Sequence, residues 1–252
     1  MNDPKPGNGA VAQTDAGSTR AERLLRRRFL GLLIALGLLF VAYPALRGES
    51  GGRLLYDALL LAVFLTSFLI VFPETHHQLV GLLLAIPTVA GVLTGYVLPG
   101  LSRAPVVVAT HGFATLFLGF TVAVILRTIY RERRVSLDGI YGAICGYLLI
   151  GVAFGHVYSL IEQAAPGSFH ASDDLAAELR DPDRAHYVLT YFSVLTLMGA
   201  GFGDITPGSG TTRGVAVVEM VVGVFYVAVL IADLLSKRVS QVLAEQPPST
   251  SS

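Results

Sequence analysis

The sequence predicts an all-α membrane protein with six transmembrane helices and a short re-entrant segment between the fifth and the sixth. Hydrophobic residues make up 53% of its 252 residues and charged residues only 14%, whereas about 25% of a typical soluble domain is charged. Six apolar segments run through the chain, each close to the roughly 20 residues that cross a bilayer. A further apolar piece, about residues 185–198, is too short to span and fits a re-entrant helix.

The apolar segments follow a polar start. Residues 1–19 hold almost no apolar side chains, so we expect a disordered tail, and residues 20–28 are basic. The predicted spans are about 29–46, 54–72, 79–99, 105–126, 139–162 and 213–236. Residues 239–252 end in a run rich in proline and serine and are expected to form a second disordered tail.

The distribution of arginine and lysine predicts the orientation in the membrane. The basic residues group before span one, after span four and after span six: Arg20, Arg23, Arg26, Arg27, Arg28, Arg127, Arg131, Arg133, Arg134, Lys237 and Arg238. An even number of spans brings all three groups to one side, so we expect that side and both termini to be cytosolic. Basic and acidic residues balance at 18 each, so no bulk charge favours nucleic acid as a partner.

One stretch between the short apolar piece and span six carries unusual backbone chemistry. Residues 199–204 read Gly-Ala-Gly-Phe-Gly-Asp. Glycine tolerates positive φ, and its alternation with other residues lets successive carbonyls point the same way. Rings of such carbonyls can replace the water around a cation. The glycines lack the βαβ unit of a phosphate-binding loop, and the spans hold no plausible catalytic set, so we do not expect an enzyme.

The run from Tyr191 to Pro207 resembles the pore helix and selectivity filter of potassium channels, and the match continues without a gap over about residues 139–236. The resemblance assigns the ion-coordinating filter to Gly199, Ala200, Gly201, Phe202 and Gly203, with K+ held at the first four. It places Asp204 at the outer mouth, Thr196 in the pore helix as a filter support, and Gly223 at the hinge of the inner helix.

The resemblance implies a homotetramer, because one chain supplies one filter and four copies are needed to surround an ion. It implies a channel that passes potassium down its gradient across the cell membrane, with K+ as the permeant ion and no other cofactor. Residues 20–136 are then a four-helix transmembrane domain, and residues 137–238 are a pore domain made of outer helix, pore helix, filter and inner helix.

Two residues depart from the family's filter. Gly199 stands where the family has a threonine that lines the innermost ion site, and Phe202 stands where it has a tyrosine. The lost hydroxyls and the looser backbone suggest a weakened preference for potassium over sodium, or an inner site that holds a hydrated ion. Leu195 stands where some members carry an acidic residue that pairs with the filter aspartate, so that pair is absent.

Ionisable side chains inside a span are expected to be functional. Glu219 is predicted to lie behind the filter and to brace it or the pore helix, with a structural interhelical pair as the alternative. His156 is its candidate partner, and both His156 and His111 could be packing residues or pH sensors. Asp233 either rings the cytosolic mouth and attracts cations or pairs with Lys237, four residues on.

Span four lacks the repeated arginines of a voltage sensor. Its basic residues, Arg127, Arg131, Arg133 and Arg134, come only at or beyond its cytosolic end. They are expected to meet anionic lipid headgroups on a linker into span five. The role of the first four helices stays open.

Two other functions remain in competition with a potassium channel. The first is a non-selective monovalent cation channel of the same build. The second is a non-conducting membrane scaffold or regulatory subunit with a degenerate filter. A transporter with broken helices would need matching interruptions in both halves, and the first half shows only Pro87 and scattered glycines.

Overall fold

A computed structural model describes residues 28–46, 52–71, 75–97, 103–132, 135–181 and 184–245. In chain order the elements are α1 (Arg28–Leu46), α2 (Gly52–Val71), α3 (Thr75–Val97), α4 (Arg103–Arg131), α5 (Leu137–Ala164), β1 (Phe169–Ala171), α6 (Asp173–Arg180), α7 (Ala185–Leu197), β2 (Ile205–Pro207) and α8 (Gly210–Glu245). The predicted tail at residues 1–19, the basic residues 20–27, Arg133, Arg134 and residues 246–252 lie outside these ranges.

Five of the helices are long and apolar enough to cross a membrane, namely α2, α3, α4, α5 and α8, so the chain is a helical membrane protein. In α1 the apolar part covers Phe29–Ala42 and is shorter than a span. Helix α8 continues to Glu245, so residues 239–245 are helical where the sequence predicts a disordered tail. They hold valine, glutamine, leucine, alanine and glutamate, and most of these residues favour a helix enough to extend the one before them.

Helix α5 lies at the centre and packs against α1, α4, α7 and α8. Its glycines allow the close approach. A Cβ on Gly142 would lie 2.9 Å from the Phe29 ring of α1, and one on Gly146 would lie 2.5 Å from the Tyr226 hydroxyl of α8. Small residues let helix backbones approach closely where lipid offers no hydrophobic driving force between helices. The glycines of α5 therefore set how near its neighbours lie.

Contacts between helix ends bring the basic segments together. Lys237 Nζ on α8 donates to the Ile129 carbonyl near the end of α4 over 2.9 Å. At the start of α1, the Phe29 amide donates to Asp138 Oδ1 in the first turn of α5 over 3.2 Å. The start of α5 follows the end of α4 closely in the chain. The start of α1, the end of α4 and the last part of α8 therefore lie at one end of the helix bundle.

A short antiparallel ribbon joins the two helices on either side of residues 172–204. Strand β1 follows α5, β2 precedes α8, and the register pairs Phe169 with Pro207 and Ala171 with Ile205. The segment between the strands, which contains α6 and α7, therefore begins and ends at the same place. The sequence analysis predicts neither the ribbon nor α6. Strands of three residues are too short to show an alternation of polar and apolar side chains.

Candidate functional site

Helix α7 ends in a glycine-based cap that begins the candidate filter, residues 199–203. Met198 caps the helix with φ and ψ of −80° and −11°, and Gly199 follows with a φ of +70°. The Gly199 amide donates to the Thr196 carbonyl over 3.0 Å, and the Ala200 amide donates to the Leu195 carbonyl over 2.9 Å. This is a Schellman motif, in which a left-handed glycine lets the chain satisfy the last helical carbonyls. Gly199 therefore has a structural reason to be glycine.

All three glycines of the candidate filter have positive φ. The values are +70° at Gly199, +48° at Gly201 and +80° at Gly203, whereas no described non-glycine residue has a positive φ. A left-handed conformation costs a residue with a Cβ roughly 1–2 kcal/mol, so this backbone requires glycine at alternate positions. Ala200 and Phe202 are exposed on the single chain, Phe202 to 71%. The segment therefore lies on the surface of the protomer.

Asp204 is held at the end of this segment by three hydrogen bonds. Tyr191 Oη on α7 donates to Asp204 Oδ2 over 2.8 Å, and the Ile205 amide donates to Oδ1 over 3.1 Å. The Asp204 carbonyl accepts from the Ser172 amide over 2.8 Å. The Tyr191 hydroxyl thus ties the Asp204 carboxylate to α7, although α7 carries leucine and no acidic residue at position 195. Spacing alone gave no signal for Tyr191, because the resemblance pointed to a different position.

Helix α7 lies antiparallel against α5. A Cβ on Gly155 would lie 2.8 Å from the Thr190 Cα, so α5 comes close to the backbone of α7 there. Two turns back along α5, Tyr147 Oη donates to the carbonyl of Leu197 over 3.0 Å. Contacts therefore run from residue 155 of α5 back toward its middle as α7 proceeds. The Leu197 carbonyl lies between α5 and α8, and the exposed candidate filter begins two residues later.

Gly223 of α8 packs against the same end of α7. A Cβ on Gly223 would lie 2.3 Å from the Leu197 carbonyl oxygen, nearer than such atoms come in folded proteins. The residue is buried, and α8 is one continuous helix through it. The structure thus gives Gly223 a role in close packing. Its role as a gate hinge stays a prediction.

Glu219 is fully buried where α8 meets α5 and α7. Its Oε2 accepts from Tyr158 Oη over 2.6 Å, and its Oε1 forms a short hydrogen bond with Ser193 Oγ. Ser193 Oγ also lies 2.6 Å from the Gly151 carbonyl oxygen. Ser193 thus contacts both Glu219 Oε1 and the Gly151 carbonyl of α5 through one hydroxyl group. The carboxyl group links α8 to α7 in this way, and support of the filter by Glu219 stays a prediction.

His156 belongs to a different cluster and is not the partner of Glu219. Its Nδ1 lies 2.8 Å from Nδ1 of His111, and its ring stacks on that of His186 with centroids 4.3 Å apart. The reason is helical geometry, because residues two apart on α5 point about 200° away from each other. Tyr158 therefore faces Glu219, while His156 faces α4.

Two further predicted residues have local partners. Lys237 Nζ lies 2.7 Å from Asp233 Oδ2, which is the ion pair that the spacing offered as one alternative. A place for Asp233 at the cytosolic mouth stays a prediction. Thr196 is buried, and its hydroxyl donates to the Phe192 carbonyl over 2.9 Å, within α7. Arg127 and Arg131 are exposed at the end of α4.

A comparison with protein families matches the region of the candidate filter. The family model described as "Ion channel" matches residues 183–239, which contain α7, the candidate filter and most of α8. Protein LctB of Bacillus caldotenax is 30% identical over 125 residues, and the match covers 46% of this chain and 90% of that protein. No solved structure matches the chain significantly.

Proposed function

Because this chain belongs to the ion channel family, we propose that it forms a homotetrameric channel that passes potassium ions down their gradient across the cell membrane. The backbone carbonyls of the candidate filter take the place of the ion's hydration shell. K+ is the permeant ion, and the channel performs no covalent chemistry and needs no cofactor or nucleic acid. The ion-coordinating residues are Gly199, Ala200, Gly201, Phe202 and Gly203.

The observation that carries this proposal is the alternation of left-handed glycines directly after the C-terminal end of α7. Positive φ at Gly199, Gly201 and Gly203 gives the segment an alternating backbone. The α7 carbonyls that precede it carry the negative end of the helix dipole, which favours a nearby cation by a few tenths to about 1 kcal/mol. Both features attract a cation to one place without any acidic side chain in the filter itself.

The β1–β2 ribbon supports a re-entrant arrangement of α7 between the fifth and the sixth of six membrane spans. Helix α7 has 13 residues, which is about 20 Å and too short for a hydrocarbon core of about 30 Å. Its excursion begins and ends at paired strands. In our proposal this segment enters from the outside and returns there, and the bilayer thins locally around the shorter α1 to complete the six spans.

Exposed apolar surface on α8 supports the assembly of four copies. Only 17% of the most apolar stretch of α8 is buried in the single chain. The candidate filter is also exposed. One filter per chain cannot surround an ion, whereas fourfold cyclic symmetry brings four carbonyls to each level. Lipid and neighbouring copies cover this surface in the proposed tetramer.

The basic end of the bundle supports the proposed orientation. Arg127 and Arg131 lie exposed at the end of α4, near Lys237 of α8. By the positive-inside rule this end is cytosolic, together with both termini. Anionic lipid headgroups are the proposed partners of Arg127, Arg131, Arg133 and Arg134.

A flux assay with the purified full chain in liposomes tests the proposal. We expect potassium to permeate faster than sodium, from particles that chemical cross-linking shows to be tetramers. Gly201→Ala should abolish flux without dissociating the tetramer, because alanine is strained at a φ of +48°. Gly214→Ala is the matched control, since its Cβ would meet nothing within 4 Å and its φ is not positive. Intact tetramers that pass no ion would reject the proposal in favour of a non-conducting subunit.

A non-selective monovalent cation channel is the second candidate. The observation that favours it is the absence of side-chain hydroxyls at Gly199 and Phe202, where potassium channels carry threonine and tyrosine. Equal flux of sodium and potassium through the same liposomes would select this function. A clear potassium preference would show that the backbone alone holds the filter to size.

A further inference from the structure

Three histidines from three helices meet in the interior, apart from the candidate filter. His111 lies on α4, His156 on α5 and His186 in the first turn of α7. One imidazole nitrogen of each lies within 4.8 Å of the others. His156 is 2% and His186 8% exposed, and His111 is half-buried. The three rings therefore converge on one point that stays accessible on the His111 side.

Two of these rings keep an imidazole nitrogen without a hydrogen-bond partner. Nε2 of His156 and Nε2 of His186 are buried, and neither has a partner among the residues the structure describes. A buried polar atom left unsatisfied costs about 1–3 kcal/mol. Two such atoms on neighbouring rings are a feature that a bound ion would explain.

The neighbour of His186 leaves its second nitrogen free to bind. Ser159 Oγ donates its only proton to the Gly155 carbonyl over 2.8 Å. The contact of 3.3 Å between Ser159 Oγ and His186 Nδ1 must then have the imidazole as donor. With the proton on Nδ1, His186 presents a lone pair at Nε2. Metal-binding histidines are held in this way by a hydrogen bond from the other ring nitrogen.

We propose that His111, His156 and His186 form a binding site for a divalent transition-metal ion of the zinc class. Imidazole nitrogen suits Zn2+, whereas Mg2+ and Ca2+ require oxygen ligands, and histidines alone make up this cluster among the described residues. Three imidazoles and a water complete a tetrahedral site.

The observed spacing is compatible with such a site. Zinc–nitrogen bonds of about 2.0–2.1 Å place tetrahedral ligands about 3.3 Å apart. The Nδ1 atoms of His111 and His156 are 2.8 Å apart, which is a hydrogen bond between the two rings, and it leaves Nε2 of His156 free to bind the ion. One nitrogen of each of the three rings lies within 4.8 Å of the others, and rotation of the side chains can bring these nitrogens to the tetrahedral spacing.

A bound ion at this position ties the start of α7 to α4 and α5. Helix α4 belongs to the part of the chain that precedes the match to the ion channel family model, so the ion joins that part to the helix before the candidate filter. This inference goes beyond the proposed function. Metal binding does not require that the chain conduct ions.

Metal titration of the full chain in detergent tests the site. The protein is prepared with chelator and without a polyhistidine tag, in a His76→Ala/His77→Ala background that removes two adjacent histidines. We expect one Zn2+ per chain by calorimetry and elemental analysis, with a rise in Tm, and visible absorption bands of tetrahedral nitrogen-ligated Co2+. Replacement of His111, His156 or His186 by glutamine should weaken binding by more than the roughly 10–100-fold typical of second-shell changes.

His170→Gln is the matched control, because His170 is exposed on β1 and should leave the titration unchanged. If a variant at His111, His156 or His186 fails to fold, the Co2+ spectrum of the protein that keeps all three histidines decides the question. Absence of retained zinc and of tetrahedral cobalt bands would overturn the site. Equal binding by the triple glutamine variant would overturn it as well.

Discussion

Replacement of Gly223 by alanine gives the sharpest test of how α8 holds the end of α7. The new Cβ would lie 2.3 Å from the Leu197 carbonyl oxygen. To reach 3.0 Å, below which real Cβ contacts are essentially unknown, the two helices must separate by at least 0.7 Å at this point. Leu197 lies two residues before Gly199, so the displacement reaches the start of the candidate filter.

The expected loss of stability follows from three terms. Overpacking of this kind costs about 1–3 kcal/mol. Alanine gains about 1 kcal/mol over glycine in a helix, but the shift also weakens the hydrogen bond from Tyr147 to Leu197, worth about 1 kcal/mol. We therefore expect Gly223→Ala to lower the free energy of unfolding by about 1–3 kcal/mol, and to reduce both potassium flux and the preference for potassium over sodium.

The assay combines Tm with liposome flux, and Gly214→Ala serves as the control on the same helix. Its Cβ would meet nothing within 4 Å, so only the gain in helix propensity remains, and Tm should stay or rise. A hinge at Gly223 predicts a different result, namely a stiffer helix with unchanged ion preference. A Gly223→Ala protein as stable as the parent, with its ion preference intact, would refute the packing argument.

Three more substitutions have outcomes that follow from single contacts. Tyr147→Phe should cost about 1 kcal/mol and reduce flux, whereas Tyr226→Phe, which loses a similar bond to a backbone carbonyl away from α7, should cost as much stability and leave flux unchanged; equal flux from the two would contradict this. Glu219→Gln should keep stability within about 1 kcal/mol, because the amide still offers an oxygen to Tyr158 and an N–H group to Ser193, whose hydroxyl can donate to the Gly151 carbonyl; a Tm loss as large as that of Glu219→Ala would show that the charge is needed. Gly199→Ala should lower Tm through a strain of about 1–2 kcal/mol at positive φ, and an unchanged Tm would disprove the left-handed cap.

The helices and the candidate filter were open to prediction because each has a local signal. Apolar segments of about 20 residues predict spans, and five of them correspond to helices of sufficient length and apolarity. The alternation of glycines at residues 199–203 permits positive φ, and all three glycines have it, whereas their role as an ion filter stays a prediction. Both signals depend on neighbouring residues only, so the rest of the fold is not needed to interpret them.

Contacts between helices were not open to prediction in this way. The sequence shows that Glu219 and His156 are ionisable groups in spans, but the partner of each depends on the rotation of three helices about their axes. A helix turns 100° per residue, so an error of two residues in register exchanges one face for the other. Tyr158 and Ser193, the actual partners of Glu219, are ordinary polar residues with no motif around them.

The glycine at 223 shows a related limit. A glycine in a helix weakens it and can allow bending, and it also permits another backbone to approach. The sequence alone cannot distinguish these two uses. The Leu197 carbonyl beside Gly223 shows the second use, and the hinge stays a prediction.

The β1–β2 ribbon has a mechanical consequence for the helices it joins. Backbone hydrogen bonds between the strands, together with that from the Gly208 amide to the Ser168 carbonyl, fasten the end of α5 to the start of α8. A tilt of α8 against α5 must then pivot at the ribbon, and its amplitude grows along the helix at about 1.5 Å of lever arm per residue. Near Lys237 the arm is about 40 Å, so a tilt of about 10° carries that residue roughly 7 Å. Such a tilt would displace α8 least beside the ribbon, by an intermediate amount at Gly223, and most at the basic end.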